Sequence, residues 1–277
     1  MFAYTVAMKK LLGILVLSLL FCGDGFAGKF VNLPKDVASG NKYKKSLDRK
    51  YKKYGMQVVS KKDGHPVRAG EKSIRFEVRP GDCGYNEDWN DCDNDRERHE
   101  LTGKRMSGGE WWYAWSIFLP KDFINVSPTK LALGQFHQEK GHVVWMFQNQ
   151  NFSIPGGYWV DNQVPGYTKT LDKVLTNDEM IGKWNDILVN VKWSKKEDGF
   201  FKVWVNNKLS YEYMGATKTK AKVYFKFGIY RSFLSKWIYS SRNKKKEKGV
   251  PAQVVYFDEV RVGKTKEKVV GNLPPLK

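Results

Sequence analysis

Two stretches of the chain alternate polar and apolar residues with a period of two. The first is Gln135-Phe136-His137, and the second covers residues 224–230. Successive side chains of a β-strand point to opposite faces, so this period predicts strands with one buried and one open face. Gln135 and His137 then share a face, as do Tyr224, Lys226 and Tyr230. We therefore expect an amide, an imidazole, an ammonium and a phenol on open faces of a sheet, where a ligand can reach them.

Further runs are rich in β-branched and aromatic residues, which favour strands. These runs are residues 73–79, 111–118, 143–147, 186–193, 200–205 and 254–262. Asn206-Asn207 predicts a tight hairpin turn, because Asn tolerates the positive φ that such turns require. Many short strands separated by turns predict an all-β fold, namely a single-domain jelly-roll sandwich. One sheet of such a sandwich can curve into a concave substrate groove while its back packs on the other sheet.

The beginning of the chain is typical of an export signal. Lys9 and Lys10 precede an apolar run at residues 11–21, and small residues suit cleavage after Ala27. We predict a signal peptide at 1–27, a basic extension at 28–53 and one domain at 54–277. The extension is expected to pack weakly and to form a short helix near residues 42–53.

The predicted signal leaves no membrane anchor, because its apolar run is too short for a comfortable span. Cys22 raises the alternative of a lipoprotein, but such a site needs a small residue where the bulky Phe21 stands. We therefore expect a secreted or periplasmic protein with no membrane attachment after cleavage.

The chain is strongly basic, with 48 Lys and Arg against 29 Asp and Glu and a net charge of +19. This surplus predicts an acidic partner, which could be nucleic acid, an anionic membrane or an anionic polysaccharide. Predicted export argues against nucleic acid. Combined with the polar strand faces, the charge favours an anionic polysaccharide, bound by a monomer.

Cys83 and Cys92 are the cysteines that remain after the predicted cleavage. In an oxidising compartment two cysteines so close in sequence predict a local disulfide. The loop around them is acidic, and Asp88, Asp91, Asp93 and Asp95 are candidate ligands for a structural Ca²⁺. Their spacing does not match an EF-hand, so an acidic surface loop pinned by the disulfide is favoured over a calcium site. No cofactor is expected to be required.

Together the motifs resemble those of jelly-roll polysaccharide lyases. Gln-x-His at 135–137 and Tyr-x-Lys-x-Gly-x-Tyr at 224–230 resemble the paired strand motifs of the alginate-lyase type. The wider pattern is closer to the heparin-lyase-I and glucuronan-lyase-like group. That pattern comprises residues 75–79, 81–82, 98–101, 110–113, 118–120, 182–186 and 257–260. The resemblance extends from about Tyr54 to about Gly263.

The resemblance implies cleavage of a uronate-containing polysaccharide by β-elimination. This reaction needs a neutralised carboxylate, a base for the C5 proton and an acid for the departing O4. By resemblance, Gln135, His137 and Tyr230 hold the catalytic positions and Lys226 supports them. The base is then His137 or Tyr230, the acid is Tyr230, and Gln135 with Arg98 holds the carboxylate.

Other side chains are expected to contact the substrate. Thr102 stands where the alginate-lyase pattern has a second arginine, so Arg75 and Arg79 are alternatives for the carboxylate clamp. Trp145 and Tyr158 are aromatic candidates for stacking on sugar rings, although some aromatics must fill the sandwich instead. The expected substrate-binding residues are Lys226, Arg75, Arg79, Tyr224, Trp145 and Tyr158.

The sequence thus predicts an exported polysaccharide lyase. Glucuronan or alginate-like polymers are the first candidate substrates, and heparin-like polymers are second because sulfate would reward many lysines. The main alternative is a non-catalytic module that binds acidic polysaccharide with the same fold. A hydrolase is less favoured because it would need two carboxylates flanking the bond, and no such pair is evident. A basic protein bound to nucleic acid or an anionic envelope is the last alternative.

Overall fold

A computed structural model of the chain describes residues 29–271. The predicted signal peptide and the Cys22 position therefore lie outside the described residues. The described part contains sixteen strands, numbered in chain order. They are β1 (Phe30–Val31), β2 (Ala38–Ser39), β3 (Tyr43–Lys45), β4 (Met56–Ser60), β5 (Lys72–Val78), β6 (Arg96–Thr102), β7 (Gly109–Phe118), β8 (Lys130–Gln138), β9 (Val143–Gln150), β10 (Tyr158–Asn162), β11 (Leu171–Leu175), β12 (Trp184–Trp193), β13 (Phe200–Val205), β14 (Lys208–Met214), β15 (Val223–Ser232) and β16 (Gln253–Gly263).

The strands form two packed sheets, which confirms the predicted all-β sandwich. The first sheet has the order β1-β3-β6-β15-β8-β9-β10-β11. The second has the order β14-β13-β12-β7-β16-β5-β4, and β2 adds to β16 in parallel. All other pairings are antiparallel, and many join strands distant in sequence, as expected for a jelly roll.

Helices in the described residues are short. They are α1 (Asn177–Met180), α2 (Ser235–Ile238) and α3 (Lys266–Val270), with single 3₁₀ turns at Lys53–Gly55, Lys61–Asp63 and Cys92–Asn94. None of the helices described for this chain has the length and apolar character needed to cross a bilayer.

Aromatic side chains from both sheets fill the space between them. Phe136 of β8 meets Tyr113 of β7 at a ring-centroid distance of 4.9 Å, and Phe225 of β15 meets Trp115 at 5.0 Å. All four rings are buried. Burying such a side chain contributes about 1.5–3 kcal/mol, so these inward positions of the alternating strands anchor the sandwich. The polar positions between them are left on the outer face of the first sheet.

The N-terminal segment packs differently from the expectation of a loose basic extension. Residues 30–45 contribute β1, β2 and β3, and β3 pairs with β6 beside the polar face. Val37 and Tyr43 are buried in the core. The expected helix near residues 42–53 is absent, since this segment consists of strand, turn and bend and a 3₁₀ turn begins only at Lys53. The predicted domain boundary at residue 54 is therefore wrong.

Two local backbone features follow from the sequence. Asn206 and Asn207 have φ of 49° and 69° and connect β13 to β14, which confirms the predicted hairpin turn. Gly228 has φ of 133°, and a Cβ at this position would lie 2.3 Å from the carbonyl oxygen of His99. Glycine is thus required where β15 approaches β6, next to the irregularity in register that precedes Tyr230.

Candidate active site

Three adjacent strands of the first sheet, β6, β15 and β8, bring the polar positions together. Tyr224 lies opposite His137, Lys226 lies opposite Gln135, and Tyr230 lies opposite Arg98. These side chains face outward because their neighbours Phe136, Phe225 and Phe227 point into the core. Sequence alternation therefore identified the correct face, and antiparallel pairing assembled residues that are 87, 91 and 132 positions apart in the sequence.

This outer face is the floor of a groove of about 960 Å³. Its walls come from residues 44–48, the disulfide loop at residues 86–89, the β8–β9 turn and the β10–β11 connection. Eight basic residues line it, namely Lys44, Lys45, Arg96, Arg98, Arg105, Lys130, Lys169 and Lys226. Among the described lining residues, Asp48 alone carries a carboxylate. The groove is thus suited to an anionic ligand.

Glu100 organises a buried ionic cluster beneath the floor. Its carboxylate lies 2.6 Å from Lys226 Nζ and 3.4 Å from Arg98 Nη1, and it accepts a 2.6 Å hydrogen bond from Gln135 Nε2. Burial alone would raise the pKa of Glu100, but Lys226 and Arg98 lower it below its ordinary value. Burial lowers the pKa of Lys226. The carboxylate therefore fixes two cations and the amide in one arrangement.

Arg98 is held from its other side by Asp91. The Arg98 guanidinium donates to both carboxylate oxygens of Asp91, from Nε at 2.6 Å and from Nη2 at 2.5 Å. Both residues are buried, with Arg98 only 9 % exposed. Asp91 and Glu100 together balance the charges of Arg98 and Lys226. Additional positive charge for a substrate carboxylate must then come from other residues of the groove.

The environment of His137 makes its imidazole a neutral base. Nδ1 lies 2.8 Å from the carbonyl oxygen of Gln138 and 3.1 Å from Tyr224 Oη. A carbonyl can only accept, so we assign the proton to Nδ1, which leaves the lone pair on Nε2. Burial, followed by the charge of Lys226, lowers the pKa of His137 to about 4. No partner for Nε2 occurs among the described residues, so this nitrogen is available to accept a proton.

Tyr230 lies between two guanidinium groups. Arg96 Nε donates to its phenol oxygen at 2.6 Å, and Arg98 Cζ stands 4.4 Å from the ring centroid. Burial raises the pKa of Tyr230, and the two arginines oppose that shift. The phenol is therefore protonated at neutral pH. Because Arg96 occupies a lone pair of the oxygen, the phenol proton is free to be donated elsewhere.

A chain of contacts connects the two ends of this site. It runs from Gln135 to Glu100, from Glu100 to Arg98, and from Arg98 to the ring of Tyr230. His137 is two residues from Gln135 on the same face of β8. The residues expected to act together thus line one groove, and their catalytic roles remain predictions. They are Arg98, Gln135, His137, Lys226 and Tyr230.

Two aromatic candidates for substrate stacking belong to the core instead. Trp145 and Tyr158 are both 0 % exposed. Trp145 stacks on Phe201 with a centroid distance of 4.0 Å, and Tyr158 packs on Phe147 at 5.3 Å. The prediction that these rings contact sugar is wrong, because both point between the sheets.

Arg75 and Arg79 also lie away from the groove. Arg75 is on β5 and Arg79 directly follows that strand, which belongs to the second sheet. Glu77 pairs with both, at 2.7 Å from Arg75 and 2.5 Å from Arg79. Arg79 also stacks on Tyr54 at 3.9 Å. Neither arginine can substitute for Arg98 in a carboxylate clamp.

The disulfide between Cys83 and Cys92 is present, as predicted. The candidate calcium ligands around it do not converge. Asp91 binds Arg98, and Asp95 accepts hydrogen bonds from Ser235. Within residues 29–271 no group of three or more His, Cys, Asp or Glu side chains is arranged to hold a metal ion. Asp91 of this loop holds Arg98, and the structural Ca²⁺ stays an untested alternative.

Sequence reasoning missed several residues of the groove. Arg96 shares the outward face of β6 with Arg98, so the alternation along that strand contained its signal. Lys130 begins β8 and Lys169 lies in the loop after β10, where only the fold brings them to the groove. The partnership of Asp91 with Arg98 had no signal in the sequence, because loop geometry creates it.

A solved structure and a family model agree with this architecture. The structure of an endo-β-1,4-glucuronan lyase from the fungus Trichoderma reesei is similar, with a TM-score of 0.55 and 20 % sequence identity over 80 % of this chain and 91 % of that chain. An alginate lyase from Pseudomonas aeruginosa has a TM-score of 0.49 and 15 % identity over 79 % of this chain and 90 % of that chain. No curated protein matches the sequence. A family model described as polysaccharide lyase matches residues 38–261. The match spans most of the chain, including the N-terminal strands β2 and β3, and the protein belongs to the polysaccharide lyase family.

Proposed function

We propose that this polysaccharide lyase cleaves a uronate-containing polymer by β-elimination in the groove over β6, β15 and β8. The observation that carries the proposal is the pairing of a neutral imidazole with an open Nε2 and a protonated phenol in one basic groove. A base and an acid of this kind are the two groups that elimination requires. Hydrolysis would usually use two carboxylates flanking the bond, whereas Asp48 is the one acidic residue among the described lining positions.

The proposed reaction assigns one step to each group. Nε2 of His137 removes the C5 proton, and the electron pair of that C–H bond forms the C4–C5 double bond. The bond between C4 and O4 breaks, and the phenol of Tyr230 supplies the proton to O4. His137 is favoured over Tyr230 as the base because its lowered pKa leaves it neutral, while the raised pKa of Tyr230 retains its proton.

Neutralisation of the substrate carboxylate is the remaining requirement. We propose that Gln135 and Arg98 hold the carboxylate, each through an N–H that the Glu100 and Asp91 contacts leave available. Because Arg98 is already balanced by Asp91 and Glu100, Arg96 supplies the additional positive charge beside Tyr230. Lys226 keeps Glu100 ionised and Gln135 oriented. Tyr224 holds His137 by stacking on its ring at 5.3 Å.

Glucuronan is the first candidate substrate. This preference is supported by the fold-level similarity to a glucuronan lyase and by the resemblance of the strand motifs, which also keeps alginate-like polymers in the first group. Heparin-like polymers are second, supported by the eight basic residues that line the groove. We further propose that the protein is exported, on the grounds of its N-terminal sequence. We also propose that it acts as a monomer, because a net charge of +19 makes copies of the chain repel one another.

The decisive experiment follows the ultraviolet absorbance of the protein mixed separately with glucuronan, alginate and heparin, with and without calcium. Elimination creates a conjugated unsaturated uronate that absorbs, whereas hydrolysis creates reducing ends without this chromophore. We expect absorbance to rise with at least one polymer and His137→Ala and Tyr230→Phe to abolish the rise while polymer binding persists. New reducing ends without absorbance would refute the elimination mechanism. Full activity in both variants would refute the assigned residues.

A further inference from the structure

A second set of cations lies one cross-strand row beyond Tyr230. Ser232 of β15 is paired with Arg96 on β6 and with Lys130 on β8, so these side chains occupy one row at the end of the groove. Lys169 reaches the same groove from the β10–β11 connection. Two residues along a strand correspond to about 6.6 Å, which places this row within one sugar of the phenol.

The three cations form one electrostatic neighbourhood. Burial lowers the pKa of Lys130, nearby Asp161 raises it, and Arg96 and Lys169 lower it further. Like charges brought together in this way repel one another at a cost that a bound anion would relieve.

Asp161 attracts Lys130 and Lys169, but in the described residues no carboxylate is in ion-pair contact with this set. Within residues 29–271, none of Arg96, Lys130 and Lys169 forms an ion pair. The nearby carboxylate of Asp161 is engaged by Gln148 and by Gln163, the latter at 2.5 Å. The cations therefore face the groove with positive charge that an external oxyanion can use.

An aromatic surface continues from this row. Phe233 follows Ser232, lines the groove and is 44 % exposed. Lys236 Nζ lies 4.5 Å from the ring centroid of Phe233 and 4.2 Å from that of Phe152. An exposed ring next to a cation cluster suits a sugar that carries an acidic group, because the ring can pack on the apolar face of the sugar.

We propose that Lys130 and Lys169 form a subsite for the carboxylate of the sugar that leaves during elimination, next to Arg96, which serves the carboxylate of the sugar that loses its proton. The assignment rests on the proposed function. His137 takes the proton from one sugar and Tyr230 protonates the oxygen that departs with its neighbour, so residues beyond Tyr230 meet the departing sugar. A carboxylate is the expected oxyanion because a polyuronate carries one on every sugar.

The test measures binding, so it does not depend on turnover. Tetraglucuronate is titrated calorimetrically into His137→Ala protein and into the same protein carrying Lys130→Met and Lys169→Met. Methionine retains the apolar stem and removes the charge. We expect the double substitution to raise Kd at least tenfold, because each lysine gives up a hydrogen bond to a charged group. Cellotetraose, which replaces each carboxylate by a hydroxymethyl group, should show no such change.

Three controls make the outcome unambiguous. Lys208→Met removes an exposed charge at the start of β14 on the second sheet and should leave Kd unchanged. Lys130→Arg with Lys169 intact keeps both charges, so its Kd should stay near that of the His137→Ala parent. Thermal unfolding should show that all variants are folded. An unchanged Kd in the double variant, or an equal loss for cellotetraose, would overturn the subsite. If absorbance rises with no polymer but the double substitution still weakens binding of tetraglucuronate, the proposed elimination is refuted and the anion subsite is supported. A sulfated tetrasaccharide that binds more tightly, with the same dependence on Lys130, would replace carboxylate by sulfate as its ligand.

Discussion

Replacing Glu100 by Gln should destabilise the protein strongly, although the two side chains are nearly the same size. Glu100 is 1 % exposed and its carboxylate lies 2.6 Å from Lys226 Nζ. The substitution leaves Lys226 buried without its counter-ion and removes one of the two carboxylates that balance Arg98. Breaking a buried pair on one side typically costs 3–5 kcal/mol, so we expect a loss of about 4 kcal/mol in the free energy of unfolding.

Urea unfolding at pH 7, followed by intrinsic tryptophan fluorescence, measures this loss through the midpoint and slope of the transition. The double variant Glu100→Gln with Lys226→Met provides the internal control. It removes both partners, so no uncompensated charge remains buried and at least half of the lost stability should return. A Glu100→Gln protein within about 0.5 kcal/mol of the parent would refute the argument that Glu100 organises the floor.

The pH dependence of the same measurement checks its electrostatic origin. The folded-state pKa of Glu100 lies below its ordinary value of 4.5, so the folded protein retains the charge at pH values where the unfolded chain gains a proton. The stability from Glu100 is therefore fully present above about pH 4.5 and is lost as the pH falls through the folded-state pKa. The difference between parent and Glu100→Gln should narrow in that acidic range. A difference that stays constant there would point to packing instead.

Three further predictions concern the ends of the groove and the loop beside it. The acidic limb of the pH profile of kcat/KM should lie near pH 4, because burial lowers the pKa of His137 to about 4, and an acidic limb at pH 6.5 would contradict the assigned base. As the pH falls from 6.5 to 4, the unfolded chain binds a proton at His137 before the folded protein does, so folding stability should fall in the parent but not in His137→Ala. Arg96→Met should lower kcat at least tenfold and move the alkaline limb upward, because it removes a cation that opposes the raised pKa of Tyr230; an unchanged pH profile would exclude this contact. Replacing Cys83 and Cys92 by Ser should cost about 2–3 kcal/mol in urea unfolding and lower activity, since the loop holds Asp91 against Arg98; unaltered kinetics in the folded variant would show that the loop does not support Arg98.

The parts of the fold that were predicted correctly depend on local patterns. Alternation assigned Phe136 to the core and Gln135 to the open face, and the asparagine pair identified the β13–β14 turn. Residues 30–45 were assigned incorrectly because their strands are only two or three residues long and lie in a Lys-rich segment. Their stability derives from pairing with β6 and β16, which are distant in sequence and leave no periodic signal.

The candidate site was predicted unevenly for a related reason. Residues on β8 and β15 could be identified because one face of each strand is polar. In β9 both faces are apolar around Trp145, so its direction could not be assigned from the pattern. Arg75 and Arg79 show the opposite problem. The alternation along β5 is clear, but it identifies the face on which a side chain lies and not the sheet that the strand joins. Only the strand order places β5 away from the groove.

The distribution of charge separates two contributions that variants can measure independently. Beneath the floor, Asp91 and Glu100 match Arg98 and Lys226, so this cluster adds rigidity and orientation but little net potential. The positive field of the groove must come from the wall residues and from the row beyond Tyr230. Of these lining cations Arg105 pairs with Glu139 at 3.2 Å, and the others form no ion pair in the described part of the chain. Wall charges act through screened attraction, so their removal should change KM and its salt dependence. Changes in the buried cluster should appear in kcat and stability, because desolvated pairs respond little to salt.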